Sequence, residues 1–142
     1  MNIKRSLLLI LTFTFLSCNS LKNKSVRFST EKLCNKWLYI DSYEGIITKI
    51  DTLNKEVKES KYGIPFLIYR KDGTYTNFQG DYRDNGKYIF DEKSGELREY
   101  YSEGVTKKES KSRLTYLDDY YMLIVVFEEI KESTSTFFYK KI

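Results

Sequence analysis

The sequence predicts an all-β domain: a small antiparallel up-and-down barrel of about eight strands, preceded by a short N-terminal helical turn. Short segments rich in Tyr, Phe, Ile and Val alternate with turn signals at hairpin spacing. One proline interrupts the 142 residues, and no long stretch has the periodicity of an amphipathic helix. Closing such a series of hairpins into a barrel removes the unpaired sheet edges. A β-sandwich is the alternative architecture.

The N-terminal region predicts export and a lipid anchor. Lys4 and Arg5 precede an apolar run over residues 7–16, and a small residue, Ser17, comes directly before Cys18. The run is shorter than the roughly 20 residues of a membrane-spanning helix. The end of the run resembles the bacterial lipobox, with Phe15 where that pattern usually has Leu. We therefore predict a signal peptide over 1–17 and membrane attachment through Cys18, with plain secretion as the alternative.

This leader places the protein in the bacterial cell envelope, on a periplasmic or outer-membrane face. The formal net charge of the whole chain is +4, and loss of Lys4 and Arg5 with the leader lowers it to +2. So small a charge does not predict binding to nucleic acid or to an anionic membrane surface.

The mature chain divides into a tether over 18–28 and a barrel domain over 29–142. Ser29 and Thr30 are helix-capping residues and predict a short turn that ends at Leu33. Trp37, the only tryptophan, begins the first strand, and we expect it to close the base of the barrel. Cys34 has no intramolecular partner once Cys18 is lipidated, so we expect it to be buried as a small hydrophobic residue.

Turn residues indicate where each strand begins and ends. Turns are expected at Glu44-Gly45, Asp72-Gly73, Asn85-Gly86, Ser94-Gly95 and Asp118-Asp119, and Gly104 ends a strand. The intervening strands are predicted at 37–43, 66–70, 74–78, 81–83, 87–90, 96–101, 114–117, 120–127 and 134–140. Residues 46–50 predict an additional strand followed by a loop, although Ile46, Ile50, Leu53 and Val57 also fit a helical period. Segments 51–61 and 105–113 are each either a strand or a mobile loop. Segment 120–127 is apolar on both faces, so it must be central or covered from outside.

The residue inventory excludes several catalytic chemistries. The chain contains no histidine, which excludes Ser-His and Cys-His nucleophile pairs and His metal sites. Neighbouring acidic residues, such as Asp118 and Asp119, point to opposite faces of a strand, and Glu96 and Glu99 also differ in parity. We expect solvated carboxylates, no enzymatic activity, no cofactor and no metal. Asp81 and Asp84 lack the spacing of a calcium loop, and the basic residues between 107 and 113 predict a solvated segment.

Aromatic residues are the unusual feature of the composition. Of 13 Tyr, 9 Phe and 1 Trp, only Phe13 and Phe15 lie in the leader. The interior of an eight-stranded barrel is either just filled by side chains or holds one small ligand. Strand alternation predicts which residues face the interior, and these are the candidate ligand-binding residues. They are Trp37, Tyr39, Phe66, Ile68, Tyr75, Tyr88, Phe90, Leu97, Met122 and Ile124.

Several short motifs resemble a known family. Residues 33–37 (Leu-Cys-Asn-Lys-Trp) are similar to the Leu-x-Gly-x-Trp opening of lipocalin-like domains, with Asn35 in place of Gly. Segments 72–75 (Asp-Gly-Thr-Tyr), 80–88, 114–126 and 138–142 follow in the order seen in lipocalin-like lipoproteins of Bacteroidetes-type bacteria. The resemblance covers about residues 33–142. It implies a barrel with a ligand cavity, and it implies no particular ligand.

Two functional hypotheses follow, with an enzyme as a third. The first is a non-enzymatic, lipid-anchored envelope protein that binds a small hydrophobic or aromatic molecule, which requires an apolar cavity of at least about 300 Å³. The alternative is a protein-interaction module, an inhibitor or assembly factor for another envelope protein, with a filled barrel and an exposed apolar patch. An enzyme would need a carboxylate with a strongly shifted pKa in a cleft.

Overall fold

The structure, a computed structural model, describes residues 27–57, 63–80, 82–128 and 132–142. The predicted signal peptide, the anchor residue Cys18 and most of the tether lie outside these ranges. Within them, no helix has both the length and the apolar composition needed to cross a membrane.

Eight antiparallel strands form a closed barrel, as the sequence predicts. Each strand pairs with the next, and β1 pairs with β8 to complete the ring. The elements are α1 Thr30–Leu33, β1 Lys36–Glu44, β2 Phe66–Tyr69, β3 Thr74–Gln79, β4 Tyr82–Phe90, β5 Glu96–Glu103, β6 Thr106–Leu117, β7 Tyr121–Glu128 and β8 Ser133–Lys141. The segment that could not be assigned, 105–113, is mostly strand: it forms the exposed first part of β6.

Helix α1 and Trp37 close one end of the barrel, which we call the near end. The Ser29 hydroxyl accepts a hydrogen bond from the Lys32 amide, and the helix ends at Leu33. The Trp37 side chain is fully buried, and its indole N–H donates to the Leu33 carbonyl at 2.8 Å. This bond fixes the helix against the first strand, so the prediction that Trp37 closes the base is confirmed.

Four of the predicted turns lie where the sequence places them. Gly45 directly after β1, and Gly73 and Gly95 directly before β3 and β5, adopt positive φ, a conformation that costs glycine no steric strain. At the fourth, Asp118 accepts hydrogen bonds from the Tyr120 and Tyr121 amides and from the Tyr116 hydroxyl.

The predicted turn at Asn85-Gly86 is wrong, because both residues lie in the middle of β4. The reason for a glycine here is a close approach between strands. A Cβ at Gly86 would lie 2.1 Å from the Tyr100 carbonyl oxygen and 2.7 Å from the Tyr75 ring. Gly86 therefore leaves room for the Tyr75 ring inside the barrel.

The predicted strand at 46–50 is also wrong, since the segment after β1 crosses the outside of the barrel without forming a strand. Ile50 packs there with Ile40, Leu123 and Phe138 in a cluster separate from the barrel interior. Ile40 reaches this cluster by strand alternation, since it follows the inward-facing Tyr39, and the bulge between Tyr39 and Asp41 brings Tyr43 to the same outer face. This outer cluster confirms that the doubly apolar strand over 120–127 is covered from outside.

Two threonines hold this covering segment to the sheet. The Thr136 hydroxyl accepts from the Ile47 amide at 3.0 Å and donates to the Gly45 carbonyl at 2.6 Å. Thr115, at the bulge in β6, donates to the Ile47 carbonyl at 2.6 Å. Thr136 is fully buried, so its hydroxyl serves two backbone groups where water does not compete.

We expect Thr136→Val to destabilise the protein by about 2 kcal/mol, because the variant keeps the shape but leaves a buried donor and a buried acceptor without partners. Urea denaturation measures the loss, and hydrogen exchange at the Ile47 amide should become faster. Thr48→Val, at an exposed position of the same segment, is the control. Equal stability of the two variants would contradict this role for Thr136.

The interior parity predicted for β2 is wrong. Leu67 and Tyr69 face the interior, where Leu67 lies opposite Trp37, whereas Phe66 and Ile68 lie on the other face. The Phe66 ring stacks on Phe78 at 4.9 Å, and the Lys36 ammonium lies 4.5 Å from its centre. All four residues of β2 are hydrophobic, so alternation within the strand could not reveal which pair points inward.

Candidate functional site

The near half of the barrel interior is a packed core. Trp37, Leu33, Leu97, Leu114 and Met122 are each at most 1% exposed and belong to one cluster. Tyr88 packs among them, and its hydroxyl donates to the Arg70 carbonyl at 2.8 Å. This half has the character of the filled barrel that the interaction hypothesis requires.

The far half, toward the end opposite α1, contains two adjoining cavities. The inner cavity has a volume of about 170 Å³ and lies among β2, β3, β5, β6, β7 and β8. The seam cavity, of about 260 Å³, lies beside β1, where the β1–β2 ladder ends after three residue pairs. Neither volume reaches about 300 Å³, but the cavities share the lining residues Leu67, Asn77, Gln79, Phe137 and Tyr139.

The ten candidate residues fall into three groups. Tyr39 and Phe66 line the seam cavity, and Ile124 lines the inner cavity. Trp37, Tyr75, Tyr88, Phe90, Leu97 and Met122 belong to the interior cluster or pack against it and line neither cavity. Ile68 lies on the outer face. The alternation therefore located the barrel interior better than it located the cavities.

Two carboxylates lie inside the barrel, contrary to the expectation of solvated acids. Glu99 lines the inner cavity, and the Tyr69 hydroxyl donates to its Oε1 at 2.7 Å. Asp84 is 8% exposed and accepts from the Tyr75 hydroxyl at 2.9 Å. Each interior carboxylate thus has a tyrosine donor, and the rings of Tyr69 and Tyr75 are 6.2 Å apart.

The environment of Glu99 raises its pKa. Burial is the main cause that raises its pKa above the ordinary 4.5, the Asp84 charge raises it further, and the Tyr69 hydrogen bond opposes both. Burial and the Glu99 charge in turn raise the pKa of Tyr69 and Tyr139. Among the described residues, no lysine or arginine forms an ion pair with Glu99 or Asp84.

We expect Glu99→Gln to stabilise the protein at neutral pH. The folded state holds the Glu99 proton more tightly than the unfolded chain, so wild-type stability falls as pH rises from 4.5 through the folded-state pKa. Glutamine keeps an acceptor for Tyr69 and carries no charge. Urea midpoints should therefore favour the variant at neutral pH and converge with wild type below 4.5. A variant less stable than wild type at neutral pH would contradict this.

Sequence reasoning missed several cavity residues, although one signal was present. If Leu97 faces inward, then Glu99, two residues along β5, must face inward too. In β4, the same alternation from the inward-facing Tyr88 places Asp84, four residues earlier, in the interior as well. The polar cavity residues of β3 and β6 are Asn77, Gln79, Ser110 and Ser112, and they were missed because interior positions were sought among apolar side chains.

Cys34 is half-buried at the near end, not fully buried as predicted. It follows directly after α1 and packs against the edge of the interior cluster. Its sulfur lies 3.2 Å from the Tyr88 hydroxyl. Because Tyr88 gives its one hydrogen to Arg70, the thiol is the donor in this contact.

Comparison with known proteins does not assign this chain to a family. The chain matches no family model and no curated protein. The resemblance to lipocalin-like domains is therefore still a prediction from short motifs. In the part of the chain that the structure describes, no three acidic or thiol side chains are grouped so as to hold a metal ion.

Proposed function

We propose that this protein is a lipid-anchored binding protein of the bacterial cell envelope, which holds a small, largely apolar or aromatic molecule in the far half of its barrel. The observation that supports this best is the division of the interior. The near half is a cluster of buried side chains, whereas the far half contains two adjoining cavities of about 170 and 260 Å³.

The volumes fit a molecule with one ring. A dry apolar cavity of about 150 Å³ is known to hold benzene. Aromatic walls surround the space here, since Tyr139 and Phe137 border both cavities and Tyr39 borders the seam cavity. Such walls contribute large apolar contact areas and favour flat ligands.

The anchor and the location are part of the same proposal and rest on the sequence around Cys18. Two or more acyl chains hold a protein stably on a membrane, at about 0.8 kcal/mol per buried methylene. The barrel would then be held close to the membrane surface, by a tether that spans at most about 35 Å when extended.

Native mass spectrometry of the protein purified from its own envelope tests the proposal. We expect a reproducible additional mass that is lost on denaturation. Ser110→Phe is the matched variant, because Ser110 lines the inner cavity and lies opposite Glu99, so a larger side chain would occupy the space. Loss of the additional mass in this variant supports the cavity site. A wild-type protein that shows only the mass of its polypeptide and anchor, or an additional mass that persists in Ser110→Phe, would count against the proposal.

An interaction module is the second candidate, and one surface feature favours it. A groove of about 530 Å³ lies on the outer face, where Ile46 and Phe127 are 65% and 57% exposed. Arg98, Lys111 and Arg113 border it, together with one carboxylate, Glu96, that pairs with Arg98. The excess of basic groups suits an acidic segment with apolar side chains. A photo-crosslinking residue at position 127 should capture such a partner in the envelope, whereas one at exposed Tyr82 should not.

A further inference from the structure

The inner cavity carries a negative charge that the fold does not neutralise. Glu99 borders the space, and Asp84 lies close enough to raise the pKa of Glu99. Arg98 and Lys111, the basic residues adjacent to Glu99 by register, have the parity of the outer face. Lys108, which shares the inward parity of Ser110, forms an ion pair with Glu103 toward the far end. Among the described residues, neither interior carboxylate has a basic partner.

Glu99 retains hydrogen-bonding capacity toward the cavity. An ionised carboxylate can accept about four hydrogen bonds, and the structure gives it one, from the Tyr69 hydroxyl to Oε1. Among the described residues, every fully buried side-chain oxygen or nitrogen has a partner, so the acceptor capacity of Glu99 beyond the Tyr69 bond lies where the side chain is accessible, and Glu99 lines the inner cavity. A donor group of a ligand could reach them there.

The remaining walls suit a cation that is attached to an apolar body. Tyr69 and Tyr139 border the inner cavity beside Glu99, and aromatic faces attract cations. Asn77 and Gln79 add polar side chains where the two cavities meet, whereas Phe66 and Phe137 line the seam cavity. The charged residue Glu99 therefore borders only the inner cavity, whereas the aromatic residues Tyr39 and Phe66 border only the seam cavity.

We infer that the ligand carries a protonated amine, which pairs with Glu99 while its ring or short chain occupies the seam cavity. This inference rests on the proposed binding function and adds the chemical class of the ligand. Pairing places a cation between an uncompensated carboxylate and two tyrosine rings. A carboxylate ligand would instead meet two negative charges, so the cavity should reject anions of the same shape.

Isothermal titration calorimetry with three shape-matched probes tests the inference: 2-phenylethylamine, 2-phenylethanol and 3-phenylpropionate. The protein is the mature chain, residues 18–142, produced without the leader so that Cys18 stays unmodified. In the wild-type protein we expect the amine to bind at least about tenfold more tightly than the alcohol, because hydrogen bonds to charged groups are the stronger kind. The carboxylate should bind more weakly than the alcohol.

Glu99→Gln should remove the preference, lowering affinity for the amine by about tenfold while affinity for the alcohol stays within about threefold. Glu96→Gln is the control, since Glu96 lies on the same strand, faces outward and pairs with Arg98. Equal affinities of the amine and the alcohol, or tightest binding of the carboxylate, would overturn the amine inference and leave the binding function intact. Failure of all three probes to bind would overturn both.

Discussion

Replacing Trp37 by alanine is expected to destabilise the barrel by about 4 kcal/mol. The side chain is fully buried, and truncating a large buried aromatic residue costs about 3–5 kcal/mol through lost burial and the cavity left behind. The variant also loses the indole hydrogen bond to the Leu33 carbonyl, which connects α1 to β1. Urea unfolding, monitored by circular dichroism, measures the change, because the variant lacks the only tryptophan and cannot be monitored by tryptophan fluorescence.

Trp37→Phe separates the two contributions. It retains an aromatic ring and loses the N–H donor, so we expect a smaller loss of about 1–3 kcal/mol from the unpaired carbonyl and the reduced volume. If Trp37→Ala were no more destabilising than Trp37→Phe, the near end would not be the packed base that the structure describes.

Gly86→Ala is the second change with a large expected effect, a loss of about 3 kcal/mol. The added methyl group would lie 2.1 Å from the Tyr100 carbonyl oxygen, which belongs to the backbone of β5 and cannot rotate away. Overpacking of this kind costs about 1–3 kcal/mol and sometimes more. Because the methyl group would also contact the Tyr75 ring, the Tyr75–Asp84 hydrogen bond should weaken.

Chemical denaturation measures the stability change at Gly86, and Lys87→Ala is the control. Lys87 is the next residue of β4 and is exposed, so its replacement tests strand propensity without overpacking. A Gly86→Ala variant as stable as this control would show that the β4–β5 spacing can relax.

The barrel could be predicted from the sequence because most of its turns depend on local chemistry. Asp72-Gly73 and Ser94-Gly95 form turns because glycine adopts positive φ there. The same reasoning failed at Gly86, where glycine is required by a neighbouring strand and not by a turn. A close approach between residues 86 and 100 depends on strand pairing, which the local sequence does not encode.

The candidate site was harder to predict, and the reasons are physical. Strand β2 is hydrophobic at every position, so the interior role of Leu67 and Tyr69 depends on its register with Trp37 and Tyr75. Glu99 was set aside because Glu96 and Glu99 lie on opposite faces of the strand, so the two carboxylates do not converge on one site. Strand alternation from Leu97 would have placed it correctly, and it is the residue that distinguishes this interior from a plain apolar core.

The most direct test of ligand binding in the far half of the barrel is a ¹H–¹⁵N NMR titration of residues 18–142 with 2-phenylethylamine. We expect the largest shift changes at the amides of Leu67, Asn77, Glu99 and Ser110, and little change at the Trp37 indole in the packed near half. Shifts confined to Ile46, Val125 and Phe127 would instead place binding in the outer groove. That result, or the absence of any change, would contradict an interior binding site.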